Sequence, residues 1–147
     1  MKATKKQLKD NKKLIIFMGG LYSKHAKLWG LGNAEFKLLE NRKHVWAQNF
    51  YQLTDVKYHS DWNWLMKVQN RILELYPNCT YYVSVEMKST MTNDRDYKII
   101  LRSYRLFNVE VFGKNHFDAL YKACVQFVDW HNKNILNEII LRENQKL

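Results

Sequence analysis

Residues 60–76, SDWNWLMKVQNRILELY, decide how the rest of the chain is read. Trp62, Leu65, Met66, Ile72, Leu73 and Tyr76 recur at the three-and-four spacing of one helical face, with Gln69 as its single polar member. Ser60 is the expected N-cap, since its hydroxyl can accept a bond from an amide of the first turn. Asp61 follows where the helix dipole favours negative charge. Pro77 stops the helix, because it lacks an amide hydrogen and its ring clashes with the preceding turn.

Downstream the period changes from 3.6 to 2. In Thr80 to Met87, Tyr81, Val83, Val85 and Met87 alternate with Tyr82, Ser84 and Glu86, the signature of a strand. Lys88 to Asp96 reads as a polar hairpin loop. Tyr97 to Ser103 and Leu106 to Phe112 read as two more strands, turning near Tyr104-Arg105, with Phe107, Val109 and Val111 facing the core. Such short connections imply an antiparallel meander. Gly113-Lys114-Asn115 then leads into a last helix with Asn115 as N-cap and Asp118 at its third position. Its stripe is Phe117, Leu120, Tyr121, Cys124, Phe127, Val128 and His131, and the pattern runs on through Ile135, Ile139 and Ile140. That apolar tail fits core better than a dimer contact, and monomer and dimer both remain open.

Upstream, residues 4–18 read as a first helix. Thr4-Lys5-Lys6-Gln7 fits a capping box, and Gly19-Gly20 supplies a left-handed stop. At about 100° per residue, Lys5, Lys6, Lys9, Lys12 and Lys13 fall within roughly a third of the circumference. Leu8, Leu14, Ile15 and Met18 take another third, and Ile16 interrupts the basic face. Gly30-Leu31-Gly32-Asn33 reads as a turn, and it lacks the third glycine and preceding strand of a dinucleotide site. Ala34 to Glu40 fits a helical turn or a strand, and residues 45–53 a strand. The expected fold is α+β in one domain, 1–147. An antiparallel sheet of three or four strands carries two long amphipathic helices on one face, with the basic N-terminal helix at an edge.

A chain of 147 residues buries roughly 70% of its unfolded surface without a staple, and 21 aromatic side chains supply core material. Cys79 and Cys124 offer neither a disulfide framework nor a metal spacing. The apolar run Leu14 to Met18 is too short for a signal peptide or a membrane span, so a cytoplasmic setting and no membrane partner are expected. Net charge is +10 and uneven. Residues 1–60 carry 12 Lys/Arg against 4 Asp/Glu, and residues 61–147 carry 12 against 10. The imbalance points to an anionic partner. Candidate contacts are Lys5, Lys6, Lys9, Lys12, Lys13, Arg42 and Lys43, with Lys98, Arg102, Tyr104 and Arg105 as a basic–aromatic patch on the meander. Aromatic side chains on a sheet stack unpaired bases while arginines hold phosphates. The same lysine helix suits a phosphate backbone, an acidic protein groove or an anionic membrane surface.

Catalytic patterns are lacking. The five histidines, His25, His44, His59, His116 and His131, show no zinc spacing, and no HExxH, CxxC, GxSxG or P-loop occurs. No enzyme activity, cofactor or metal ligand is expected. A metal-independent ribonuclease using His59 or His131 stays open, because such sites assemble in space without a linear motif.

Three blocks carry a resemblance. KYHSDWNWLMKVQNRI, from Lys57, resembles a Y-H-x-S/D-W-x-W-L-M-x-V-x-x-I segment of small phage and prophage proteins. Leu14-Ile15-Ile16-Phe17-Met18-Gly19 resembles their "LI-x-F-M-G" helix end, and residues 119–132, ALYKACVQFVDWHN, their closing helix. Those proteins commonly have W-D-W and a proline after the methionine, where this chain has Trp62-Asn63-Trp64 and Lys67. The blocks carry fold rather than activity, and no catalytic residue transfers. The resemblance implies a host-cell cytoplasmic protein. By analogy it implies an anti-CRISPR-type inhibitor binding an RNA-guided nuclease complex or its RNA. A phage structural or assembly protein is the alternative of another class.

Overall fold

The computed structural model describes residues 2–31, 49–87, 95–103 and 106–145. It is an α+β chain whose described elements are three α-helices, one 3-10 helix and two three-stranded antiparallel sheets. Backbone contacts gather into two compact units, Met1–Trp64 and Leu65–Leu147.

The first unit begins with α1, Lys5–Phe17. The capping box forms as the sequence implies: Gln7 N donates to Thr4 Oγ1 at 3.1 Å and Thr4 N to Gln7 Oε1 at 2.9 Å. Gly19 at φ +83° makes the left-handed exit. Gly20 follows because a Cβ there would sit 2.7 Å from the Ile15 carbonyl oxygen. Leu14 and Ile15 are fully buried, with Phe17, Asp10 and Asn11 beside them. The helix packs on the 3-10 helix Leu53–Asp55.

Strands β1 (Leu21–Ser23), β2 (Leu28–Leu31) and β3 (Asn49–Tyr51) form a small sheet that the single-sheet expectation lacked. Leu21, Gly30 and Phe50 share one cross-strand row, and Tyr22, Trp29 and Tyr51 the next. Of the expected turn Gly30-Leu31-Gly32-Asn33, the first two residues are strand and the last two lie outside the described residues. Another turn spans residues 24–27, closed by Lys27 at φ +56° with Lys27 N donating to Ser23 O. Ala34 to Glu40 lies outside the described residues, as does the start of the 45–53 strand.

Helix α2 is Trp62–Leu75. Its cap is Asp61, not Ser60: Asp61 Oδ1 accepts from Asn63 N at 2.8 Å. Carboxylate and dipole thus act at one position. The buried stripe is Leu65, Val68, Gln69 and Ile72, rotated from the expected one, with Trp62 and Met66 exposed.

In the second unit β4 (Thr80–Met87), β5 (Arg95–Ser103) and β6 (Phe107–Gly113) make the expected meander in that order. Arg95 and Asp96, expected in the loop, pair with Met87 and Glu86. Strand β6 alternates buried and exposed along its whole length, with Phe107, Val109 and Val111 inward. Helix α3, His116–Gln145, packs on β5 and β6. Asn115 caps it, accepting from Asp118 N at 2.8 Å. Leu120, Cys124, Phe127 and Val128 are fully buried, as their stripe requires. Gly113 lets the helix come close, since a Cβ would fall 2.5 Å from Ala119 N. Past the end of α2, Tyr76 joins an aromatic cluster with Phe107, Phe127 and Trp130, at centroid distances of 5.4, 5.5 and 5.9 Å.

Candidate nucleic-acid interface

Two surfaces, one in each unit, gather the candidate residues. On α1, Lys5, Lys6, Lys9 and Lys12 are exposed. At 100° per residue the arc they span is centred opposite the side that buries Leu14 and Asn11, with Lys6 at its rim beside Phe17. The charge is therefore one-sided by construction: the same periodicity that buries the apolar side turns the lysines outward. Lys13 borders the buried side, 3.8 Å from Asp10. Ile16, half exposed at 49%, sits within the lysine arc, so the basic face has an apolar point in it.

The second surface is the outer face of β4, β5 and β6. The register sets three cross-strand rows: Thr80–Arg102–Asn108, Tyr82–Ile100–Glu110 and Ser84–Lys98–Phe112. Tyr82 is 56% exposed and Phe112 45%. Lys98 Nζ lies 2.9 Å from Glu110 Oε1 and 5.6 Å from the centre of the Phe112 ring. Arg102 Nε donates to Asn108 Oδ1 at 3.4 Å. Lys98 and Arg102 thus share one face, as expected from the sequence. Arg42, Lys43, Tyr104 and Arg105 lie outside the described residues. Tyr82 and Phe112 were missed. Each is an aromatic in the polar phase of an alternating strand, and that is the signal that finds them.

Three of the five histidines, His59, His116 and His131, make side-chain hydrogen bonds. His59 Nδ1 lies 2.8 Å from Asn11 Nδ2, His116 Nε2 3.1 Å from the Tyr81 hydroxyl, and His131 Nδ1 2.9 Å from the Tyr76 hydroxyl. Burial holds His59 below its ordinary pKa. It pushes the Tyr81 phenol up to about 12, and the fully buried Cys124 thiol likewise to about 12. Cys124 is thus packed as a small hydrophobe, as its stripe position suggests. Among the described residues no group of three or more His, Cys, Asp or Glu could hold a metal ion, and no helix is long and apolar enough to cross a membrane.

No known family, curated protein or solved structure matches this chain. The two surfaces and the residues that build them are therefore the basis for a functional reading.

Proposed function

We propose that this protein acts by binding rather than by catalysis, and that it binds RNA, free or within an RNA-guided nuclease complex. The observation that carries the reading is the arc of four exposed lysines on α1, set opposite its buried side. A helix held by a capping box and by a buried seat presents these charges as a fixed row. Each lysine that neutralises a phosphate releases counterions, which supplies affinity without base recognition. The engaged histidines support a binding role over a metal-independent ribonuclease at His59 or His131. The likeness of three sequence blocks to phage and prophage proteins supports the finer reading, an inhibitor of host defence of the anti-CRISPR type.

The test is direct. Purified protein is titrated against labelled RNA and against a nuclease–guide RNA complex at low salt, and target cleavage by the complex is followed in parallel. Binding that weakens steeply with salt, with reduced cleavage, is the expected result. Binding to neither RNA nor the complex sinks the proposal.

A further inference from the structure

Strand β4 stands at one edge of its sheet. Tyr82, Val83 and Ser84 are all exposed, so both phases of the strand meet solvent. Val83 pairs with the fully buried Ile99, yet is itself 40% exposed, outside the cover that α3 gives β5 and β6. An open edge is a template for another strand unless charge or a neighbouring element blunts it. The opposite edge has such a guard, since Lys122 of α3 donates to the Phe112 carbonyl of β6 at 3.4 Å. Thr80 to Ser84, TYYVS, carries no charge and is rich in strand formers. The charge of this hairpin is arranged lengthwise. The register sets Thr80 beside Arg102 at one end and Glu86 beside Asp96 at the other. Between them, Lys98 and Glu110 pair at 2.9 Å.

We propose that β4 pairs antiparallel with β4 of a second copy of this chain, joining two three-stranded sheets into one of six strands. Opposed residues share a face and so differ by an even number; a symmetric pairing therefore sets one residue against its own copy. Centred on Val83, the pairing opposes Val83 to Val83, Tyr82 to Ser84 and Thr80 to Glu86. One row then runs Arg102–Thr80 in the first copy and Glu86–Asp96 in the second, and symmetry repeats it. Arginine meets acids across a small threonine, and the two exposed Val83 side chains cover each other. Centring on Tyr82 would instead bring Arg102 into line with Lys98 of the second copy, and centring on Ser84 would move the acids away from Arg102. The edge thus matches itself in charge at one register. A foreign strand would have to bring the same charge order. The proposal concerns the strand edge and is independent of RNA binding through α1.

The experiment is sedimentation velocity of the full chain over a wide concentration range, with and without ribonuclease. A monomer–dimer equilibrium that ribonuclease leaves in place is expected. Val83→Lys sets like charges against each other at the axis and is expected to leave a monomer at every concentration. The position is an exposed edge, so its circular dichroism melt should stay near wild type. Arg102→Glu is expected to weaken the dimer by about 3- to 10-fold, and Arg102→Glu/Glu86→Arg to restore it. A second measurement reads the register. In a Cys79→Ser background, with Cys124 fully buried, Val83→Cys puts two thiols on Cα atoms about 4.5–5.5 Å apart, within disulfide reach. Mild oxidation should trap it as a covalent dimer. Thr80→Cys, about 20 Å from its counterpart, should not be trapped. A wild-type monomer at every concentration overturns the inference and leaves the edge to a strand of another protein. A dimer that ribonuclease dissolves, or that Val83→Lys leaves intact, overturns it too, as does equal trapping at Thr80→Cys and Val83→Cys. Absence of RNA binding overturns the functional reading above and leaves this inference standing.

Discussion

The side-chain amide of Asn11, fully buried on α1, lies 2.8 Å from Nδ1 of His59. The same Nδ2 donates to the Val56 carbonyl at 3.4 Å, which fixes the amino end of the amide toward both partners. Nδ1 therefore accepts, and the imidazole is neutral with its proton on Nε2. Burial works in the same direction by holding the pKa of His59 down.

The sign of the pH dependence follows. The unfolded chain takes up a proton at His59 near pH 6.5, while the folded chain resists until a lower pH. The stabilisation is complete above the unfolded value and is lost as pH falls from about 6.5 toward the folded one. Thermal melts between pH 7.5 and about 5 are expected to fall in midpoint, and His59→Gln is expected to flatten that slope. Asn11→Leu should cost about 1–3 kcal/mol at neutral pH, the usual penalty for stranding buried partners. A slope unchanged in His59→Gln would contradict the assignment.

Ser60 and Asp61 compete for one cap, and the structure gives it to Asp61. Chemical denaturation should show Asp61→Ala losing about 1 kcal/mol. Ser60→Ala, at an exposed position, should stay within about 0.5 kcal/mol of wild type. The reverse order would return the cap to Ser60.

At Gly113 the contact is with backbone. A Cβ would meet Ala119 N at 2.5 Å and Ala119 Cα at 2.8 Å, so neither partner can rotate away. Gly113→Ala is expected to cost about 1–3 kcal/mol through forced separation of β6 and α3. Hydrogen exchange should show the loosening first in the opening turns of α3. An unchanged melt would mean that the strand end and the helix are not in contact.

Cys79 and Cys124 separate cleanly. Cys124 is fully buried with its thiol pushed up to about 12, while Cys79 is half-buried and raised by burial against a backbone hydrogen bond from Arg102. The thiolate is the reactive form. Alkylation of the native protein at pH 8 should mark Cys79 slowly and Cys124 only in denaturant, as peptide mass mapping would show. Labelling of native Cys124 at the Cys79 rate would contradict its burial.

Much of this was legible where local chemistry and packing agree. Thr4 with Gln7, Asn115 with Asp118, and the Phe107–Val109–Val111 alternation each formed as their residue types require. The failures share a cause: local signals were outvoted by pairing at a distance. Gly30 suggested a bend, yet it pairs Leu21 and Phe50 across a sheet, while Lys27 takes the left-handed turn without a glycine. On α2, spacing could not choose between Met66 and Val68, and burial chose Val68. Nothing local marks Asn11 as a buried partner of a residue 48 positions away. The alternation of β4 and β6 already sets Tyr82 and Phe112 in the outward phase, and burial adds that both rings stay exposed.

If the lysine arc of α1 contacts phosphate, as proposed, the salt dependence of RNA affinity must differ between the wild type and Lys5→Ala/Lys6→Ala/Lys9→Ala/Lys12→Ala. Each lost phosphate contact on a single strand should flatten the log Kd against log salt slope by about 0.7. The side chains are exposed, so the melt should stay near wild type. A markedly shallower slope with weaker binding is the predicted result; identical slopes and affinities in the two proteins would contradict it.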